Sequence, residues 1–232
     1  MSRYTAAYSQ FTHQLEEVEI LRRTAASRER ADALRLRDEV NALCRGSIVL
    51  LCAHLEAYVR GLGELALDSM TARLVPRTGV AAQMFYHMSQ DLLRELRDAA
   101  EPEKIAERVF AFLTADLPLW SRQGPFPSPI SAERFNRGFA SPAFKRVVKY
   151  LNRFGYSDYG RDLAGRQQAR FQVTVNMVDH LVDTRNKVAH GDPAVSKTPA
   201  ELAEMMRLVR MFCSATDSVF ASWWRTHFCS IR

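Results

Sequence analysis

The chain has 232 residues, a mass of 26.4 kDa and a formal net charge of +6, and 47% of its residues are hydrophobic while 25% are charged. This composition is typical of a soluble globular protein, and it excludes a disordered chain, a collagen-like chain and a coiled-coil filament. The length permits one large domain or two small ones, with a core large enough to need neither disulfides nor a metal ion.

Two features of the composition predict the compartment. The N-terminal segment contains no apolar run of the secretory-signal type, and the most apolar run, at residues 48–53, is far shorter than the roughly 20 residues that span a bilayer. The four cysteines have no CxxC spacing and lie in apolar stretches, which indicates reduced core residues. We therefore expect a cytoplasmic protein that makes no contact with a membrane.

Helical periodicity runs through most of the chain. Apolar residues recur at spacings of three and four over residues 8–18, 51–62, 84–96, 105–113 and 202–223, and no stretch alternates with a period of two for long enough to form a strand. These patterns predict an all-α fold in which the apolar stripes form the core of a helical bundle. A cofactor-contacting role for such stripes is the less common alternative.

Two helix starts are marked by local sequence. Ser141-Pro142 has the pattern of an N-cap followed by proline at N1, and it predicts a helix that Gly155 ends. Thr198 to Glu201 combines an N-cap threonine, a proline at N1 and a glutamate at N3, which is the pattern of a capping box. The second pattern predicts where the long last helix begins.

The middle of the chain differs from the rest. Residues 117–131 hold four prolines around Gly124, which predicts an irregular loop. We interpret residues 117–170 as a proline-opened, basic and helical insertion in a single domain that spans residues 1–232. The positive charge is concentrated there, because residues 118–170 contain ten basic and only three acidic residues.

This basic segment has two interpretations. Basic side chains neutralise phosphates, and the aromatic residues interleaved with them would stack on unpaired bases if they were exposed. On this interpretation the RNA-binding residues are Lys145, Arg146, Lys149 and Arg153. The alternative is a solvated basic face over an ordinary aromatic core, because an amphipathic helix here would bury its aromatic residues.

The common catalytic motifs are absent from the sequence. It contains no glycine-rich phosphate loop, no HExxH, no GxSxG and no carboxylate cluster with metal-ligand spacing. His54 and Glu56 lie two residues apart, which separates them by about 200° on a helix, so these side chains of one subunit cannot jointly hold a metal. We expect no metal site and no cofactor, and a packed or helix-contacting role for His54.

The stretch 180–193, HLVDTRNKVAHGDP, carries the one candidate site of interest. Apolar residues at 173, 177 and 181 predict the face by which this helix approaches the core. Gly191 is the predicted C′ residue, and Asp192-Pro193 cannot continue the helix. His190 therefore lies at the helix C-terminus, where the macrodipole favours its protonated form and where it is suited to acid–base catalysis. The alternative is a simple C-terminal helix cap beside a surface arginine.

Arg185 and His190 are five residues apart. On a regular helix they differ by roughly 140° in direction and about 7.5 Å in rise, so they do not converge on one face. A shared site requires either that the last helical turn loosens or that a second copy of the motif lies across a two-fold axis. Arg185 would then hold a phosphate while His190 moves a proton, and Asn186 would orient either partner through a hydrogen bond.

The R-x4-H arrangement from Arg185 to His190, with its polar second position and the following Gly191-Asp192, resembles the signature of the HEPN superfamily. The upstream segment GSIVLLCAHLEAYVRGLGELA, residues 46–66, is similar to the partner helix in the RiboL-PSP-type branch of that superfamily. The resemblance covers residues 40–70 and 171–220, and it leaves the basic middle segment unaccounted for.

The resemblance implies a HEPN-like helical bundle with the activity of a metal-independent endoribonuclease. Such proteins usually dimerise so that two motifs form one cleft, and many act as toxins or antiviral effectors. Carried over by position, Arg185 would bind the scissile phosphate, His190 would be the general base or acid, and Asn186 would be the orienting residue. The ribose 2′-hydroxyl would attack the adjacent phosphorus and leave a cyclic phosphate and a free 5′-hydroxyl, so the substrate would be RNA.

Three hypotheses follow, and they differ in what the motif does. The first is a homodimeric ribonuclease, with an antitoxin or another neutralising protein as a further partner. Some HEPN toxins carry a tyrosine, modified by a partner nucleotidyltransferase, where this chain has Asp192, so that route of control is not supported. The second is a HEPN-like module without catalysis that serves as a dimerising or RNA-binding adaptor. The third is an unrelated helical protein in which the motif is a coincidence.

Overall fold

A computed structural model describes residues 4–192 and 195–231. Over these residues the chain forms α-helices joined by short connections and 3-10 turns, and the described part contains no β-strand. The all-α fold is therefore confirmed. In chain order the helices are α1 (Ala6–Ala31), α2 (Arg37–Ala72), α3 (Ala82–Met88), α4 (Gln90–Asp98), α5 (Pro102–Ala115), α6 (Ala132–Asn136), α7 (Phe144–Asn152), α8 (Tyr159–Gln167), α9 (Phe171–Ala189) and α10 (Pro199–His227).

The four long helices α1, α2, α9 and α10 pack against one another and form the centre of the bundle. The apolar stripes predicted for them are buried, as Phe11 of α1, Leu55 of α2 and Phe212 of α10 show with no exposed surface. On α9 the buried face is centred on Val178 and Leu181, and Val173 of the predicted face is half exposed. The observed buried face of α9 therefore differs from the predicted one at the first turn of the helix, where Val173 is exposed.

The start of α10 follows the predicted capping box. Thr198 Oγ1 accepts a hydrogen bond from the Glu201 backbone N–H at 3.1 Å, and the Glu201 carboxylate accepts one from the Thr198 N–H at 2.8 Å. The hydrogen bond from the Thr198 backbone is the main reason that the pKa of Glu201 lies below its ordinary value. Two backbone donors that a helix start leaves unpaired are satisfied in this way.

The helix predicted from Ser141-Pro142 begins later than expected. α7 starts at Phe144, and Ser141 has a positive φ of 56°, a conformation that disfavours helix continuation for a residue with a side chain. Long-range contacts hold Ser141 there, because its N–H donates to the Glu56 carboxylate at 3.0 Å. Downstream, Gly155 has a φ of 91° and lies three residues beyond the end of α7.

The proline-rich loop is fixed by a buried arginine. The guanidinium of Arg77, which lies 6% exposed, donates to the backbone carbonyls of Pro118, Leu119, Gln123 and Gly124. A buried charge is tolerated only when its hydrogen bonds are satisfied, and here four carbonyls satisfy it. The irregular backbone predicted for this loop is present after a 3-10 turn at Leu117–Trp120.

The middle segment packs into the main core. Phe135, Tyr150, Phe154 and Tyr159 are fully buried and belong to the same hydrophobic cluster as the long helices. The contact with α2 is closest at Gly63, where a Cβ atom would lie 2.0 Å from the Tyr150 hydroxyl oxygen. The interleaved aromatic residues are therefore core residues, and the stacking role that the sequence left open for them is wrong.

Two further predicted helical regions differ in burial: Met84 and Met88 of the first belong to the main core, and the second lies at the periphery. The pattern over residues 84–96 is divided between α3 and α4 by a break at Ser89. The pattern over residues 105–113 forms α5, which has no buried residue and exposes Phe110 over 70% of its surface.

α2 has the length and apolarity of a membrane-spanning helix, but half of its most apolar window is buried inside the bundle. This burial is consistent with the core helix of a soluble protein.

Candidate functional site

The candidate site is built on the C-terminal end of α9. The N–H of Gly191 donates to the carbonyl of Val188 at 3.1 Å, and the N–H of Asp192 donates to the carbonyl of Lys187 at 3.0 Å. These two bonds, with a φ of 78° at Gly191, form a Schellman motif. The prediction that Gly191 is the C′ residue is confirmed, and His190 is the exposed C-cap of the helix.

Arg185 lies on the side of α9 that faces α2. Its Nε atom lies 3.4 Å from the Cys52 thiol, and its Nη2 atom donates to the Ser141 hydroxyl at 3.1 Å. Burial raises the pKa of the Cys52 thiol, and the neighbouring Arg185 charge opposes that rise. Arg185 is thus held by both the long helix α2 and the segment that leads into α7.

Arg185 also borders an open groove of about 540 Å³ that runs along α2. Two carboxylates and one further arginine line this groove, namely Glu56, Glu64 and Arg60. Glu56 accepts one hydrogen bond, from the Ser141 N–H, and forms an ion pair with Arg60 at 3.0 Å. The groove therefore presents the Glu56–Arg60 ion pair beside Arg185, together with Glu64, which accepts a hydrogen bond from Asn136.

Arg45 is a site residue that the sequence reasoning missed. Its Nη1 atom donates to the Asp192 carbonyl at 2.7 Å and to the Val195 carbonyl at 3.4 Å, and so fixes the chain that follows His190. The signal was the spacing between Arg45 and Cys52, because residues seven apart lie on the same face of a helix. That face of α2 contacts Arg185 at the start of the R-x4-H motif and the chain just beyond its histidine.

The motif stays helical up to its histidine. The N–H of His190 donates to the Asn186 carbonyl at 2.9 Å, which is the ordinary bond of a regular last turn. The loosening that one interpretation required is therefore not observed. On this geometry Asn186 and His190 share one side of α9, and Arg185 points roughly 140° away from His190 within one protomer.

The predicted RNA-binding residues fall into two groups. Lys145, Arg146 and Lys149 are exposed along α7, and we refer to these three residues as the α7 basic face. Arg153 is half buried, and its guanidinium donates to the carbonyls of Phe135 and Arg137. Burial lowers the pKa of Arg153, and the two hydrogen bonds give this arginine a structural role within the fold.

The α7 basic face adjoins the helix that carries the motif. The N–H of Phe144 donates to the Asp179 carboxylate of α9 at 2.7 Å. Three residues earlier, Ser141 accepts the hydrogen bond from Arg185. The N-terminal end of α7 is therefore fixed against α9 on the side of the motif's arginine.

Within residues 4–192 and 195–231, no group of three or more histidine, cysteine or acidic side chains is arranged to hold a metal ion. His54 is nearly buried, and its Nε2 atom lies 3.4 Å from the Glu17 carboxylate, in agreement with the packed role expected for it. All four cysteines are free thiols, and three of them are buried.

A family model described as RiboL-PSP-HEPN matches residues 15–222. The chain belongs to this family. The match extends across the basic middle segment, which the sequence resemblance had left unaccounted for, and it includes every residue of the R-x4-H motif. HEPN domains are often ribonucleases, so membership supports nuclease or nucleotide-binding activity at a general level. No curated protein and no solved structure matches the chain significantly.

Proposed function

We propose that this protein is a metal-independent endoribonuclease that acts as a homodimer in the cytoplasm, as a toxin or defence effector. The observation that carries the proposal is the end of α9, where the family's R-x4-H motif presents an exposed histidine at a fixed helix terminus with Asn186 on the same side. An exposed imidazole can reach a polymeric substrate without any rearrangement of the core.

The reaction transfers one phosphoryl linkage within the RNA. The ribose 2′-oxygen forms a bond to phosphorus as the bond from phosphorus to the 5′-oxygen breaks, which gives a 2′,3′-cyclic phosphate and a 5′-hydroxyl. His190 accepts the 2′-hydroxyl proton or donates the proton to the leaving 5′-oxygen. The Arg185 guanidinium stabilises the negative charge that develops on the phosphoryl oxygens, and Asn186 orients the imidazole or the phosphate by a hydrogen bond.

In the proposed dimer, a second copy of the chain brings an Arg185 side chain and a His190 side chain into one cleft. Because Arg185 and His190 of one regular helix point in different directions, a two-fold axis near the end of α9 would bring the arginine of one protomer towards the histidine of the other.

The α7 basic face supports the grip on RNA. Its three cations are exposed and carry no neighbouring carboxylate on α7, so they are free to neutralise phosphates. Its helix is fixed to α9 through Asp179, so RNA bound there would lie beside the cleft.

Cleavage of single-stranded RNA and DNA in the presence of a chelator tests the proposal. The wild-type protein should cut RNA, leave DNA intact and yield cyclic-phosphate ends, and His190→Ala should abolish cutting while His13→Ala, which removes another exposed histidine, should not. Cutting that requires a divalent ion would contradict the mechanism. Cutting that survives in both Arg185→Ala and His190→Ala would contradict the site.

A mixing experiment tests the composite cleft. Two inactive variants, Arg185→Ala and His190→Ala, are combined under conditions that allow subunit exchange. If each cleft takes its arginine from one protomer and its histidine from the other, random mixing restores about a quarter of the wild-type activity, because half of the dimers are mixed and each has one intact cleft. No recovery in a mixture shown to contain mixed dimers would contradict the shared cleft.

A catalytically inactive adaptor is the second candidate. The observation in its favour is that the Arg185 guanidinium is already engaged by Cys52 and Ser141 and is half buried. An adaptor would bind RNA or dimerise equally well as wild type and as His190→Ala, and neither form would cut RNA.

A further inference from the structure

A concave site with an unusual charge lies far from the R-x4-H motif. It has a volume of about 430 Å³ and is formed by the first turn of α1, the end of α8 and the middle of α10. Four arginines line it and no acidic residue does, namely Arg166, Arg170, Arg207 and Arg210. We refer to it as the arginine pocket. Arg170 immediately precedes α9, so the pocket lies about 30 Å from His190 along that helix.

Most of this positive charge is not neutralised by the protein. Arg207 forms a two-point ion pair with Glu204 at 2.6 and 2.7 Å. Arg166 and Arg170 are exposed, and they form no ion pair or hydrogen bond with any residue that the structure describes. Arg210 lies beside the Tyr8 hydroxyl, where its charge opposes the rise in the pKa of Tyr8 that burial causes. Three guanidiniums therefore share one concavity without a carboxylate partner.

Two of these arginines project from a well-defined backbone corner. Arg166 and Arg170 lie on either side of Gln168, a non-glycine residue with a φ of 51°, at the corner between α8 and α9. The Gln167 side chain fixes this corner, since it accepts a hydrogen bond from Thr174 at 2.6 Å and donates to the Met211 carbonyl at 3.4 Å. Strained backbone that is held by its surroundings is a feature of ligand-binding sites.

Part of the pocket lining is aromatic. The rings of Tyr4 and Tyr8 lie 4.6 Å apart and both line the pocket. The adjoining Thr5 is fastened to α10, because its N–H donates to the buried Asp217 carboxylate at 3.1 Å. This end of α1 is therefore ordered, and the half-buried Tyr4 ring offers an apolar surface beside the arginines.

We propose that the arginine pocket binds a terminal phosphate, a phosphomonoester carried either by a free nucleotide or by the 5′ end of an RNA strand. Guanidinium groups match phosphate oxygens in geometry, and three cations without a carboxylate partner suit a dianion better than the single charge of a phosphodiester. The volume lies within the range of small-molecule sites, and the tyrosine rings fit the attached nucleoside. The proposed cleavage leaves a 5′-hydroxyl and a cyclic phosphate, so the ligand is not a product of the protein's own reaction.

Paired ligands that differ only in the phosphate test this proposal. Binding of AMP is compared with adenosine, and a 5′-phosphorylated oligonucleotide with its 5′-hydroxyl form, each measured by calorimetry or fluorescence anisotropy. The oligonucleotides carry 2′-O-methyl groups, which prevent attack by the 2′-oxygen, so the wild-type protein can be used. The α7 basic face contributes equally to both oligonucleotides and cancels from the comparison.

We expect the phosphorylated ligand to bind at least about tenfold more tightly, since charge-assisted hydrogen bonds are individually worth about that factor. The double variant Arg166→Ala/Arg170→Ala should lose this preference. Arg161→Ala, which removes an exposed arginine of the same helix that is paired with Asp158, should keep it.

A preference seen with AMP assigns the ligand to free nucleotides, and one seen with the oligonucleotide assigns it to RNA ends. Equal binding within both pairs, or an equal loss in Arg161→Ala, would overturn the proposal. Neither result depends on cleavage, so failure of this proposal and failure of the nuclease proposal are distinguishable.

Discussion

The contact between Gly63 and Tyr150 predicts a large effect from one added methyl group. In Gly63→Ala the new Cβ atom would meet the Tyr150 hydroxyl oxygen at 2.0 Å and its ring carbon at 2.9 Å, so the ring must move. Tyr150 also donates a buried hydrogen bond to Asn136 at 2.6 Å, which that movement would break. The substitution therefore acts on the joint between α2 and the middle segment.

The expected change in the free energy of unfolding combines two destabilising contributions and one stabilising contribution. Forcing a methyl group into a packed core costs about 1–3 kcal/mol. A buried hydrogen-bonding group that loses its partner costs about 1–3 kcal/mol more. Replacing glycine by alanine inside a helix returns about 1 kcal/mol. We expect Gly63→Ala to lower the free energy of unfolding by about 1–5 kcal/mol, as measured by urea denaturation.

Gly46→Ala is the matched control, since this glycine also lies in α2 and a Cβ atom there would meet nothing within 4 Å. It should stabilise the protein by up to about 1 kcal/mol through helix propensity alone. Adding Tyr150→Phe to Gly63→Ala should recover part of the loss, because it removes the atom that makes the closest contact. Equal stability of Gly63→Ala and Gly46→Ala would refute the packing argument.

Three further outcomes are expected. Thr198→Ala should lower the free energy of unfolding by about 1–2 kcal/mol, because it removes one half of the capping box of α10, and an unchanged urea midpoint would contradict that role. Burial, together with the charge of Arg153, lowers the pKa of His87 to about 4 from an ordinary value near 6.5, so the folded state favours neutral His87. The contribution of neutral His87 to stability is complete above pH 6.5 and is lost as the pH falls towards 4. His87→Gln should therefore flatten the decline in stability over that range, whereas His13→Gln, at an exposed position, should leave it unchanged. Reversing the three charges of the α7 basic face should weaken RNA binding and reduce its dependence on salt, by a slope of about 2–3 in a double-logarithmic plot, and an unaltered slope would assign that face to solvation alone.

Local patterns predicted the fold well where one segment decides its own structure. The apolar stripes of α1, α2 and α10 needed only a partner to pack against, and the capping box at Thr198 is complete within four residues. The end of α9 followed from Gly191 and the residues after it in the same way. Such features depend on short-range sterics and hydrogen bonds that the sequence contains in full.

Long-range contacts explain what the sequence could not predict. Ser141 does not begin α7, because two residues distant in sequence fix its conformation. Its N–H donates to Glu56, and its hydroxyl accepts a hydrogen bond from Arg185. Arg153 looked like a surface cation until the carbonyls of the middle segment were placed around it. The interleaved aromatic residues could be interpreted as exposed or as buried, because the spacing of residues does not show which helices pack against this segment.

The two contacts that α2 makes with the motif have a mechanical consequence. Arg45 holds the chain just beyond His190, and Cys52, two turns further along the same helix, touches Arg185. One central helix therefore fixes the chain on both sides of the last turn of α9. The backbone position of His190, the residue proposed as the general acid or base, should therefore persist until the bundle itself unfolds.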